Sequence, residues 1–443
     1  MTHHFFARLL PLLLLSAGGA AGAAPQPPSA SAASQTSAAA SSAPAGAATP
    51  ADFAAYRSCL AALRPEAGQR GVDLAVFDAQ AATLAPDMAV VGLLDVQPEF
   101  KTPIWDYLAG LVDQERVDDG LAAMARWRDE LARAQAQFGV DPATVAAVWG
   151  VESNFGRNLG GRPLLTSLST LSCFGRRQAY FRGEFYATLK ILQDEHVSRE
   201  RLNGSWAGAF GQTQFMPSTY LRLAVDFDGD GRRDLVDSVP DALASTANFL
   251  KEAGWQPGLP WGFEVRLPTG LDTSGAGRRS KRPMSAWAAQ GVMRVDGSPL
   301  PAGDTPAGLL LPAGPRGPAF LVTRNFDAIY SYNAAESYAL AISHLSDRLR
   351  GGPAIAQPWP TDDPGLSRAE RREVQALLAA RGFDVGRPDG IIGTRTREAL
   401  QTVQRELGLP ADGRAGMRTL QALRAQPQAQ PPSQPASPPP AAP

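Results

Sequence analysis

The chain has 443 residues, more than one hydrophobic core ordinarily organises, so at least two domains are expected. Its 42 Lys and Arg offset 43 Asp and Glu for a formal charge of -1. A nucleic-acid binder of this size would be visibly basic, and that class is set aside.

In chain order, Arg8 precedes an apolar run at residues 9–15 that is interrupted only by Pro11, and Ala21-Gly22-Ala23 then offers a small-x-small cleavage site. The run is too short for a bilayer, which takes about 20 apolar residues, and it matches a signal peptide over residues 1–23. No cysteine follows it, so lipid modification there is not expected. With no later membrane span, the mature chain is expected to be soluble, exported and periplasmic. Residues 24–50 are almost wholly Ala, Ser, Pro, Gly, Thr and Gln and read as a disordered spacer. Cys59 and Cys173 are the only cysteines. In an oxidising compartment the pair invites a disulfide, the alternative being two separate buried thiols.

Order should begin near Phe53, and residues 51–350 form the main domain. Residues 121–138 read as one strongly periodic helix. Frequent Pro and Gly between about 256 and 322, with apolar runs at 263–267, 308–311 and 320–322, suggest strands in a small β-rich insertion. Helical pattern returns at 334–349, and a Pro- and Gly-rich linker occupies 351–365. A second domain, 366–425, carries helices at 367–381, 394–407 and 417–423, punctuated by the turns Asp389-Gly390 and Asp412-Gly413. The Pro-, Gln- and Ala-rich tail, 426–443, reads as disordered.

The main chemical signal is DPATVAAVWGVESNFGR. Asp141 suits a helix cap and Pro142 the first helical position. Val145, Val148, Trp149 and Glu152 then fall at i, i+3, i+4 and i+7, which places a carboxylate on an apolar stripe. Desolvation disfavours its charged form, and a carboxyl protonated near neutrality is what general-acid cleavage of a glycosidic bond requires. A lone Glu near a helix end is more often simply solvated. The company of GSWAGAFGQTQFMPSTYLRLAVDFDGDGRRDL, residues 204–235, decides between the two. Gly208 and Gly211 there would let backbone approach a ligand, Gln214 offers donor and acceptor to an acetamido group, and Phe215, Tyr220 and Tyr332 offer faces for sugar rings, though each aromatic alone is more often core.

The motifs GVESNFG, GAFGQTQFMPSTY, the acidic loop and Tyr332-Asn333 together resemble the lytic transglycosylase B family, and the likeness runs from about residue 53 to 350. The resemblance implies a mainly α fold with a lysozyme-like helical catalytic core, and peptidoglycan glycan strands as partner. It implies Glu152 as the catalytic residue, with Ser205, Gln214, Tyr332, Asn333, Arg176 and Arg177 lining the sugar groove. The implied reaction cleaves the MurNAc–GlcNAc β-1,4 bond without water to leave 1,6-anhydromuramoyl ends. Alternatives are a hydrolase (muramidase) on the same core, using a second carboxylate such as Glu184, Asp194 or Glu195, and a non-catalytic wall-binding scaffold.

Asp226, Asp228, Asp230, Gly231, Asp234 and Asp237 fill positions 1, 3, 5, 6, 9 and 12 of the EF-hand template, with Arg232 giving a backbone carbonyl at 7. Oxygen ligands favour a structural calcium ion, although Asp at position 12 reaches less far than the usual Glu, and a solvated acidic turn is the alternative. The stretch 374–413 resembles the small three-helix peptidoglycan-binding domain found on many wall hydrolases, a helical adaptor for protein partners being the other possibility. Such a module would raise the local substrate concentration.

Overall fold

The structure, a computed structural model, describes residues 48–95 and 102–425. The expected signal peptide, residues 24–47 of the spacer and the 426–443 tail lie outside the described residues.

The first helix, Pro50–Gln69, starts at a capping box in which the Thr49 hydroxyl accepts from the Asp52 amide while the Asp52 carboxylate accepts from the Thr49 amide. Among the described residues the architecture is mainly α, and two apolar clusters organise the main domain. One surrounds the helices Pro142–Ser153 and Glu336–Leu349. The other gathers Pro50–Gln69, Leu164–Cys173, Gln178–Gln193 and Pro217–Leu223. Phe249 and Tyr332 pack against both clusters and mark the seam between them. A disulfide joins Cys59 on the first helix to Cys173 at the end of Leu164–Cys173, across 114 residues of sequence.

The single helix expected over 121–138 is two, Gln114–Arg126 and Arg128–Phe138, broken at Trp127 (φ -109°, ψ 32°). The first packs on Pro142–Ser153, while the second packs chiefly on Val239–Glu252. A bend lets one periodic run serve two partners, which periodicity alone cannot reveal.

The β-rich insertion is a five-stranded antiparallel sheet. Its strands are β3 (Gly262–Arg266), β4 (Lys281–Pro283), β5 (Met293–Arg294), β6 (Pro306–Leu310) and β7 (Ala319–Val322), in the order β4-β6-β7-β3-β5. β3 and β7 pair in the register Phe263↔Leu321 and Val265↔Ala319. The edge strands β4 and β5 carry too few residues to show alternation, and the sequence reading lacked them. A separate two-stranded ladder, β1 (Arg162–Pro163) with β2 (Asn203–Gly204), ties the loop after the Glu152 helix to the segment that opens GSWAGAFGQTQF.

The C-terminal helices are Arg368–Ala380, Thr394–Glu406 and Met417–Ala425. Ser367 and Glu370 form a capping box at the first. The half-repeat seen in the sequence is one device used twice. Buried Gln375 donates to Asp389 Oδ1 (2.9 Å) and accepts from the Gly390 amide (2.7 Å), and buried Gln404 does the same with Asp412 (3.0 Å) and Gly413 (2.8 Å). Each Asp-Gly turn is thereby bolted to the helix before it.

Linking two helices across so long a loop restricts the unfolded chain. Replacing both cysteines, Cys59→Ala with Cys173→Ala, should cost about 2–4 kcal/mol of stability. Denaturant unfolding of the oxidised wild type against the double variant checks this, and equal midpoints would refute it.

Candidate active site

The helix Pro142–Ser153 begins with Asp141 accepting from the Thr144 amide (3.0 Å) and Pro142 at the first position, where its missing N–H costs nothing. Every residue from Ala143 to Gly150 is buried. The helix therefore has no polar face, and the apolar stripe read from its sequence is one part of a segment that is enclosed all round. Glu152 leaves that enclosure at the last turn. The helix then stops at Asn154 in the left-handed region (φ 52°, ψ 50°), with Phe155 and Gly156 also at positive φ.

The hydroxyl of buried Tyr338 donates to Oε1 of the Glu152 carboxyl. Burial pushes the carboxyl pKa up to about 8, against the lowering effect of the Tyr338 hydrogen bond. Tyr338 stacks on Tyr332 (centroids 6.3 Å apart, planes at 24°), and Tyr332 donates to the Thr213 carbonyl (2.7 Å). Burial, and then the nearby Glu152 charge, keep both phenols protonated. Glu152, a half-buried residue at the wall of an open cavity, thus favours its protonated form at neutral pH, with a neutral donor beside it.

Gln212 holds this helix from the other side. Its side chain accepts from Trp149 Nε1 (3.0 Å) and donates to the Val236 carbonyl (3.0 Å), while its backbone carbonyl accepts from Ser153 Oγ (2.5 Å). Arg116, also buried, donates to the Gly150 carbonyl (2.5 Å). The sequence reading singled out none of Tyr338, Gln212 and Arg116. Gln212 stands two residues before Gln214 in the same motif, so a signal was there. Tyr338 and Arg116 come from helices whose local pattern says nothing about Glu152.

The other expected groove residues divide. Gln214 (φ 53°) turns its side-chain NH2 to the carbonyls of Leu159 (3.1 Å) and Gly211 (2.9 Å), leaving the amide oxygen as its acceptor. Ser205 is half-buried and its hydroxyl accepts from the Ala209 amide (3.0 Å). Tyr332 lies beside Tyr338, and Asn333 next to it is exposed. Arg176 instead donates to the Leu94 carbonyl, and Arg177 lies over the Tyr180 ring at 4.4 Å; neither these two nor Ser205, Gln214, Tyr332 and Asn333 line the cavity at Glu152. Phe215 and Tyr220 are fully buried core residues rather than sugar platforms. At Gly208 and Gly211 a Cβ would lie 2.5 Å from Leu168 and 2.6 Å from the Leu235 carbonyl, so these glycines permit close packing within the protein, not approach of a ligand.

A cavity of about 1080 Å³ opens beside Glu152. It is lined by Glu152, Asn154 and Arg157 from the helical core and by Arg371, Ile391 and Arg397 from the C-terminal domain. The further carboxylates on its wall are engaged elsewhere: Asp106 with Arg414, Glu115 with Arg372, Asp389 with Gln375 and Asp412 with Gln404. Glu184, Asp194 and Glu195 lie outside its lining. Glu184 accepts from the amide (2.8 Å) and hydroxyl (2.7 Å) of Ser218, and Asp194 pairs with Lys190 (3.0 Å).

In the acidic loop, carboxylate oxygens of Asp226, Asp228 and Asp230 converge within 4.8 Å of one another. Asp226 accepts from the amides of Gly229 (2.8 Å) and Gly231 (2.9 Å). Buried Asp241, unforeseen in the sequence, shapes the loop by accepting from the amides of Phe227 (2.7 Å) and Asp234 (2.8 Å). Asp234 is turned inward onto the amides of Val236 and Asp237, and Asp237 pairs with Arg201 and stands apart from the cluster.

The family described as the transglycosylase SLT domain matches residues 55–347, and a peptidoglycan binding domain family matches residues 367–423. The chain is 32% identical over 253 residues to membrane-bound lytic murein transglycosylase B of Escherichia coli K12, covering 54% of this chain. The match spans 65% of that relative, just under two thirds of its length. Among solved structures, SltB3 of Pseudomonas aeruginosa in complex with NAG-anhNAM-pentapeptide is 48% identical with a TM-score of 0.67, covering 84% of this chain and 99% of that one. The Escherichia coli lytic transglycosylase Slt35 in complex with calcium is 30% identical with a TM-score of 0.58, covering 68% and 94%.

A carboxyl whose folded pKa is raised favours the folded state fully only below its unfolded value, ordinarily 4.5, and that contribution is lost as pH climbs toward about 8. Glu152→Gln removes the ionisation. The variant and wild type should melt together at pH 4, with the variant increasingly the more stable up to pH 9. A melting-temperature difference that does not change with pH would contradict the burial assigned to this carboxyl.

Proposed function

Since the chain belongs to the transglycosylase SLT domain family, we propose that it is a lytic transglycosylase that cleaves the MurNAc–GlcNAc β-1,4 bond of peptidoglycan, with Glu152 as its single acid and base. The observation that carries this reading is a carboxyl whose pKa is raised to about 8 by burial, beside a cavity of about 1080 Å³. The match of residues 367–423 to a peptidoglycan binding domain supports the same substrate.

In this mechanism Glu152 gives its proton to the bridging oxygen as the bond to the muramoyl C1 breaks. The acetamido oxygen of the same sugar bonds to C1 in place of an enzyme nucleophile, a known exception to the two-carboxylate scheme. Glu152, now ionised and beside the Tyr338 hydroxyl, takes the proton from the C6 hydroxyl. O6 then displaces the acetamido oxygen at C1. The product is a 1,6-anhydromuramoyl end, Glu152 is protonated again, and no water enters. Each other carboxylate on the cavity wall already holds a side-chain partner, which favours this over hydrolysis. Ser205, Gln214, Tyr332, Asn333, Arg176 and Arg177 are proposed to contact the glycan outside the cavity's own lining, a reading supported for Tyr332 by its stack on Tyr338.

The protein is further proposed to be exported and to act in the periplasm, a reading supported by the 1–23 segment and by the location of the substrate. Among the described residues no helix is long and apolar enough to cross a membrane. Calcium is proposed to be bound by Asp226, Asp228 and Asp230, with the Arg232 carbonyl completing the set. An all-oxygen donor group of converging carboxylates suits a hard cation, which would relieve their mutual repulsion and stiffen the loop. Asp237 would have to leave Arg201 to join.

Mass spectrometry of digested peptidoglycan should find anhydromuramoyl ends from the wild type, and Glu152→Gln should lose at least about 100-fold in rate while still sedimenting with insoluble wall. Water-added reducing ends, or an unimpaired variant, would sink the assignment. For the loop, millimolar calcium should raise the melting temperature of the wild type but not of Asp228→Asn, whereas a shift equal in both would place the ion elsewhere.

A further inference from the structure

The C-terminal domain touches the end of the Glu152 helix through one side chain. Arg368, the first residue of the helix Arg368–Ala380, spreads its guanidinium over three partners from the main domain, Asp113, Asn154 and, at 3.7 Å, Asp119. Nε meets Asp113 Oδ2 (3.0 Å) and Nη2 meets Asp113 Oδ1 (3.2 Å), while the Arg368 amide also donates to Asp113 (2.9 Å). Nη1 points the other way and donates to Asn154 Oδ1 (2.8 Å). Both members of the ion pair are enclosed, with side-chain exposures of 11% for Arg368 and 4% for Asp113. Burial works against the Asp113 charge, yet the hydrogen bonds from Arg368 and from the Arg116 amide hold its carboxyl below the usual range.

Asn154 occupies the left-handed cap two residues after Glu152. A non-glycine residue in that conformation is held by its surroundings, and here its own side chain provides the handle. Its amide returns to the Gly150 carbonyl (3.1 Å), the same oxygen that buried Arg116 reaches. Two cations, one from each domain, therefore grip the carbonyl end of the helix, where positive charge is favoured.

From this geometry, and resting on the assignment of Glu152 as the acid, we infer that Arg368 is a positioning residue for catalysis. It fixes the Asn154 cap and so sets where the Glu152 carboxyl meets the scissile oxygen. The C-terminal domain is then a working part of the active site as well as a wall-binding module. The lever is short: a small rotation of the last helical turn moves the carboxyl away from its reacting geometry, and a 1 Å misplacement costs about 100-fold in rate.

Arg368→Lys tests the inference, because an ammonium can still pair with Asp113 but has no fork to reach Asn154 at the same time. On a soluble glycan of defined length, its kcat should fall about tenfold or more with KM within about twofold, the signature of a contact that serves the transition state. Its melting temperature should stay within a few degrees of wild type, which separates misplacement from unfolding. Asn154→Ala should lose a similar factor, and the double variant should lose no more than either single variant. Arg418→Ala removes a different pair, to Asp362 of the linker and away from the Glu152 cavity, and should keep its kcat. A wild-type kcat for Arg368→Lys, losses that multiply in the double variant, a loss confined to KM, or an equal loss in Arg418→Ala would each overturn the inference. Glu152→Gln measured alongside keeps the two questions apart. If it is inactive while Arg368→Lys is unimpaired, the positioning role alone fails; if it is active, the proposed function fails first.

Discussion

Holding one carboxyl where its charge is poorly solvated is the constraint from which the rest of this site follows. A carboxylate so placed without a cationic partner is unfavourable, and the molecule answers by favouring the protonated form. That answer needs apolar neighbours or neutral donors at the carboxyl itself, and it works against an Arg or Lys paired with it. Tyr338 meets the requirement. It donates to Glu152, its own ionisation is suppressed by burial, and it rests on Tyr332, whose hydroxyl is fixed to Thr213. The arginines that bind the helix do so through Gly150 and Asn154 rather than through the carboxyl.

The same constraint explains why distant parts of the chain converge. A helix enclosed from Ala143 to Gly150 can be located only by what surrounds it, and Gln212 is the fastening point on one side. Gln212 binds Trp149 and Ser153 on the helix, and its amide donates to the Leu235 carbonyl (2.7 Å) just beyond the acidic loop. The loop is therefore mechanically continuous with the catalytic helix. Asp241 at its base, saturated by backbone amides, makes the position of residues 234–236 a rigid reference. Calcium bound by Asp226, Asp228 and Asp230 would stiffen that reference without approaching the chemistry.

How much of this the sequence disclosed depends on whether the information was local. Helix caps are local, so Asp141-Pro142 announced its helix, and the Asp-Gly turns announced the C-terminal half-repeat. Alternation needs length, so the three longer strands were visible while β4 and β5 were not. The bend at Trp127 arises because two halves of one periodic run meet different partners, a tertiary fact. The site divides in the same way. Glu152 stood out through its motif, yet what meets its carboxyl is Tyr338 from another helix rather than the apolar stripe of its own. Phe215 and Tyr220 looked like sugar platforms and are core, because aromatics in a motif carry no mark of which way they face. Tyr338 was silent for the opposite reason, being an ordinary residue in an ordinary helix until folding sets it against Glu152.

The boundary at 351–365 also changes meaning once contacts are considered. A tether that only concentrates substrate works best when flexible, and Pro and Gly at 351–365 suggested such a hinge. In the structure the Glu264 carboxylate instead accepts from the amides of Ala356 and Gln357, both at 2.8 Å, and Ile355 and Trp359 pack on the main core. Beyond it, Arg414 pairs with Asp106 and Arg368 with Asp113, so the two domains meet over buried charge on both flanks of the cavity. Pairs of this kind are weak evidence for stability, since desolvation offsets much of their attraction, but breaking one leaves an unmatched charge indoors. That penalty specifies one orientation of the C-terminal domain over others. Under the proposed function, a wall-binding module held in one orientation against the Glu152 helix would present a glycan strand along one direction, and that orientation, more than the tether, is what the ion pairs secure.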